Sequence, residues 1–75
     1  MSDFTDLVEL ELAAARTKFF ALHSGHEAFG VIYEELDEFW DEVKRQDRDP
    51  DAMLKELVQT AAMCARAAED LGLIK

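Results

Sequence analysis

An all-α fold follows from three observations on this sequence. Apolar residues recur at three- and four-residue steps through most of its length, one proline and three glycines supply little punctuation, and the breaks that exist look like helix caps. The 75 residues form one domain, 1–75, of three helices.

The first helix is predicted from about Phe4 to Leu22, with Leu7, Leu10, Ala14 and Ala21 on one face. Val8, Leu12, Ala15, Phe19 and Leu22 widen that face into a band broad enough to expect neighbours on two sides. Ser24 stands three residues before Glu27, the spacing of a capping box, and opens a second helix running to about Asp47. Phe29, Ile32, Tyr33, Leu36, Phe39, Trp40 and Val43 follow one face of it and read as a core stripe. The Asp49-Pro50 pair starts a third helix, because Asp accepts from its first amides and Pro at the first turn forfeits no hydrogen bond. Gly72 ends it. Leu54, Leu57, Val58, Ala61, Cys64, Ala65, Ala68 and Leu71 form its apolar side, with Cys64 expected to pack as a small hydrophobe. The short connection predicts an antiparallel hairpin of helices two and three.

So short a chain has a marginal core, and a single cysteine excludes an intramolecular disulfide, so self-association is expected. A net charge of −9 opposes binding to nucleic acid through phosphates. The sequence contains no membrane span or signal-peptide pattern, and a cytoplasmic protein is expected.

The acidic residues are unevenly placed. At about 100° per residue, Glu35, Glu38 and Glu42 form a stripe beside the apolar face of helix two, while Glu34 and Asp41 turn toward solvent. On helix three Glu56 flanks the apolar face, and Gln59 lies further round. Measured from the turn, Glu38 stands level with Gln59, Glu56 opposite Glu42, and Glu35 about a turn away, so the hairpin can gather Glu35, Glu38 and Glu56 around one volume. Carboxylates so gathered repel one another unless protons or cations neutralise them. Mg²⁺, or Mn²⁺ in its place, meets that need with oxygen ligands. A solvated acidic face is the ordinary alternative, but the like-charge pairs Glu34/Glu38 and Glu38/Glu42 weaken a helix, and the stripe adjoins the core instead of opposing it.

The order Glu34-Glu35-x-x-Glu38, then Glu56-x-x-Gln59 after a short hairpin, resembles the EExxE and ExxD motifs of the all-α NTP pyrophosphatases of the MazG-like superfamily. The likeness covers about residues 23–72. It implies Mg²⁺-dependent hydrolysis of a nucleoside triphosphate to its monophosphate and pyrophosphate, a housecleaning reaction. Glu35, Glu38 and Glu56 would be the metal-holding catalytic residues, with Glu34, Glu42 and Gln59 as further candidates. It also implies a homodimer or homotetramer that completes a four-helix bundle. Gln59 departs from the pattern by offering a neutral carbonyl where the family has Asp, and this keeps open a non-catalytic helical module that binds a nucleotide or a protein partner.

Outside these motifs, His23 and His26 read as polar residues near a cap rather than as a zinc pair. Trp40, at the margin of its stripe, is the aromatic best placed to meet a base. Lys44, Arg45 and Arg48 suit the negative end of helix two.

Overall fold

A computed structural model describes residues 3–74, and over that span the chain is three helices with no strand. They are α1 (Phe4–Lys18), α2 (Gly25–Lys44) and α3 (Pro50–Asp70). Each start is capped by the residue before it. Asp3 accepts from the Asp6 amide at 2.9 Å, Ser24 from Glu27 at 3.1 Å and Asp49 from Asp51 at 3.0 Å. Glu27 completes the device at α2 one residue earlier than a capping box does, since its carboxylate accepts from the His23 amide at 2.8 Å. Gly72, at φ +69°, turns the chain out of α3.

α3 packs against both α1 and α2, whereas the backbones of α1 and α2 do not approach each other. The two outer helices therefore flank α3 with a groove between them. Ala15, Ala62 and Met63 form one buried cluster, joined by Val8, Leu12, Val31 and Ile32, and Leu22, Ala28 and Ala67 form another. Small residues dominate: Ala62 is wholly buried, yet no large side chain is. Alanines let the helices come close, at the expense of apolar area removed from water.

Five expectations are corrected. The first helix stops at Lys18 rather than Leu22, and Phe19 is already extended. Tertiary partners there replace helical ones. The buried Arg66 donates to the Phe20 carbonyl, and Asp70 accepts from the Leu22 amide at 2.8 Å. Arg16 then ties the end of α1 to Glu69 (2.6 Å) and Asp70 (2.9 Å). The helix-two stripe, secondly, is only partly core. Ile32, Phe39 and Val43 are half-buried, but Phe29, Tyr33, Leu36 and Trp40 are exposed because they lie further round the helix than the side that meets α3. The same geometry exposes Cys64 on α3 and Leu10 on α1, so the thiol is not packed and α1 is covered on one side only. Helix two also ends at Lys44, three residues short of Asp47, where Arg48 Nε reaches back to the Val43 carbonyl at 2.7 Å.

Candidate metal centre

The facing sides of α2 and α3 bring together Glu35, Glu38 and Glu56. Glu35 and Glu38 are neighbours one turn apart on α2, and Glu56 meets them from α3. One carboxylate oxygen from each lies within 4.8 Å of the others. Glu35 and Glu56 are half-buried and Glu38 is exposed.

This proximity is electrostatically costly. Burial, then the charges of Glu38, Glu56, Glu11 and Glu34, push the Glu35 carboxyl up to about 7. Glu56 is raised too, by burial, by a hydrogen bond with Glu38 that needs a proton between the two carboxyls, and by the charges of Glu38 and Glu42; Lys55 opposes the shift. Near neutral pH the cluster therefore retains protons that a divalent cation can displace. The donor set is all oxygen, which suits Mg²⁺. Opposite ligands on Mg²⁺ stand about 4.2 Å apart, slightly inside the 4.8 Å reach of the three carboxylates. Small rotamer changes, easiest at exposed Glu38, make up the difference.

Gln59 stands one turn along α3 from Glu56. Its hydrogen-bond partners fix the amide with the nitrogen toward the acids, so that it donates to Glu35 Oε2 at 3.0 Å and to Glu56 Oε2 at 3.3 Å. In this arrangement the amide bridges two carboxylates and its oxygen faces away. Glu34 stays outside the cluster, exposed on the wall of the groove. Glu42 faces Arg45 at 3.5 Å, close enough to Glu56 to raise its carboxyl but not among the three gathered acids. Among the described residues His23 and His26 belong to no metal-ligating cluster.

Of the three acids, Glu35 lines the groove between α1 and α2, a volume of about 1030 Å³ floored by Gln59, Met63 and Arg66, while Glu38 and Glu56 lie beyond its edge. Its walls carry Glu11, Lys18, Phe19, Phe20 and His23. Trp40 is not among them; it lies under Lys44, whose Nζ is 5.6 Å from the ring. Four groove residues that matter to the site escaped the sequence reading: Glu11, Lys18, Phe20 and Arg66. Glu11 adds charge to Glu35 from α1, and its signal was an acid on a buried face, four residues after Leu7 and four before Ala15. Lys18, a further turn along, forms no ion pair among the described residues.

No family model, curated protein or solved structure matches the chain. No helix is long and apolar enough to cross a membrane among the described residues.

Proposed function

We propose that this chain is a cytoplasmic, metal-dependent nucleoside triphosphate pyrophosphohydrolase that converts NTP and water to NMP and pyrophosphate. It would work as a homodimer or homotetramer of one-domain chains, each built around an antiparallel α2–α3 hairpin that completes a four-helix bundle in the assembly. The observation that carries the reading is the convergence of Glu35, Glu38 and Glu56, with the carboxyls of Glu35 and Glu56 raised by burial and by their acidic neighbours. The EExxE-like and ExxQ motifs that supply these residues support it, since they resemble the MazG-like pattern.

Glu35, Glu38 and Glu56 would hold Mg²⁺ or Mn²⁺, with Glu34 and Glu42 near enough to adjust the charge around them. When bound, the ion supplies charge neutralisation for the triphosphate and acidifies water. The chain's own residues do the rest. Gln59 orients the Glu35 and Glu56 carboxylates through its amide. Lys18 offers a cation to phosphate oxygens on the groove wall, and Phe19 and Phe20 offer ring surface to a base. The groove's volume, about 1030 Å³, stands at the upper end of the roughly 300–1,000 Å³ usual for ligand sites, room enough for a nucleotide.

Purified protein incubated with ordinary and modified nucleoside triphosphates and Mg²⁺ or Mn²⁺ is expected to release pyrophosphate. Glu56→Gln should lower turnover by at least about 100-fold, as loss of a charged contact to the transition state does. Absence of turnover with every nucleotide sinks the enzymatic reading.

One observation favours a second reading, a non-catalytic module that binds a nucleotide or protein. The Gln59 amide hydrogen-bonds the carboxylates directly, so the site is partly satisfied without metal. That reading expects nucleotide or partner binding without pyrophosphate release, and hydrolysis gained in Gln59→Asp.

A further inference from the structure

The side of α2 and α3 away from the groove carries the molecule's longest uncharged surface. On α2, stepping about 100° per residue, no charged residue occurs from Ala28 round through Leu36 and Phe29 to Tyr33, an arc of about 140°. Half of that arc faces α3 and the rest is open. On α3 the same projection finds no charge from Thr60 through Cys64, Leu57 and Ala61 to Val58, about 160°. Both helices confine their acids and bases to the remaining arcs, in a chain of net charge −9. The open parts adjoin, because each lies on the same side of the α2–α3 contact, opposite Glu38 and Gln59.

The area is larger than a monomer ordinarily leaves wet. Phe29, Tyr33, Leu36 and Trp40 are 68, 57, 52 and 53% exposed, and Leu57 is 41% exposed. With aromatic side chains worth about 150–250 Å² each, the face offers roughly 500 Å² per chain. Two such faces together bury about 1,000 Å², the lower bound for a specific interface before the flanking alanines are counted. The core cannot forgo that area, since it has no fully buried large side chain.

We infer that this face, centred on Phe29, Tyr33, Leu36, Trp40 and Leu57, binds the same face of a second copy of the chain. An uncharged apolar surface is complementary to itself, and a two-fold contact brings every charge-free arc against another. A bilayer is the poorer occupant, because the chain is acidic overall and the base at the edge of the face, Lys44 over Trp40, is paired with Asp41 at 3.4 Å, which leaves little positive charge there to meet anionic lipid. The inference rests on the proposed self-association and names its surface; it does not rest on metal binding or hydrolysis. Glu35, Glu38 and Glu56 come from one chain, so the metal centre stays whole in a separated protomer.

Light scattering and sedimentation of the full chain test it, with Leu36→Asp/Leu57→Asp on the face and Leu10→Asp off it as control. The wild type and Leu10→Asp should have the mass of a dimer or tetramer, and the double variant a lower mass with its helical circular dichroism kept. Exposed Cys64, the single thiol, borders the face and reads the wild type independently: its reaction with a maleimide should slow as protein concentration rises through association. A wild type that is monomeric at all concentrations, or an assembly whose mass the double variant leaves unchanged, overturns the inference. If instead the wild type assembles as expected but binds no Mn²⁺, only the metal reading fails.

Discussion

Gln59 and the carboxylates it bridges determine how the site responds to substitution and to pH. Replacing its amide by Asp removes two hydrogen bonds to charged groups and adds a fourth acid beside Glu35 and Glu56. Without metal, Gln59→Asp is expected to destabilise the fold by about 1–3 kcal/mol. With Mg²⁺ the added ligand should reverse the order, so thermal melts of the two proteins with and without the ion check it. The pH dependence follows from Glu35, whose carboxyl rises from 4.5 in the unfolded chain to about 7 in the fold. Between those values the native state binds more protons than the unfolded one, so metal-free stability should fall as pH rises from about 4.5 to about 7 and then level off. Because protons and cation compete for the same oxygens, Mn²⁺ affinity should climb through the same window. Urea melts and calorimetric titrations at pH 5, 6, 7 and 8 measure both. Asp70 acts in the opposite sense: its bond from the Leu22 amide and its Arg16 and Arg66 neighbours lower its carboxyl, so its stabilisation persists above the ordinary carboxylate range and is lost in stronger acid.

The helices show which parts of the fold local chemistry determines. Ser24, Asp49-Pro50 and Gly72 act on the backbone within a few residues, and their caps were legible from sequence. The exit from α1 was not, because Phe20 and Leu22 find their partners in Arg66 and Asp70, more than forty positions on. Arg66→Met removes the donor to the Phe20 carbonyl and a cation beside Asp70. It should cost about 2–3 kcal/mol by urea denaturation and loosen the segment that lines the groove. The spacing of Phe29, Tyr33, Leu36 and Trp40 gave the helix correctly but not its neighbour, since a face records that something apolar belongs there without saying whether it is α3 or another molecule. Gly30 lies on α2 with nothing within 4 Å of where a Cβ would stand. Gly30→Ala should therefore stabilise the protein by about 0.5–1 kcal/mol, measured the same way.

For the molecule as a whole, the charge and the thin core point to the same organisation. One side of the α2–α3 pair collects acids, with Glu35 reaching the groove; the other is apolar and exposed, with Lys44 at its edge. The grouping of Glu35, Glu38 and Glu56 could be projected from helical periodicity and heights because two adjacent helices supply it. The contribution of Glu11 could not, since it depends on how α1 lies across α3. The orientation of the Gln59 amide likewise follows only from the two carboxylates it meets. Both the enzymatic and the non-catalytic readings place a nucleotide in the same groove, and they separate on what the three acids hold. A crystal structure of the protein soaked in Mn²⁺, with anomalous scattering to locate the ion, addresses this most directly. The metal-centre account predicts an ion bonded to Glu35, Glu38 and Glu56, with the Gln59 nitrogen displaced from at least one of its two partners. A saturated soak in which Gln59 still bridges Glu35 and Glu56 and no ion lies between the three carboxylates contradicts it.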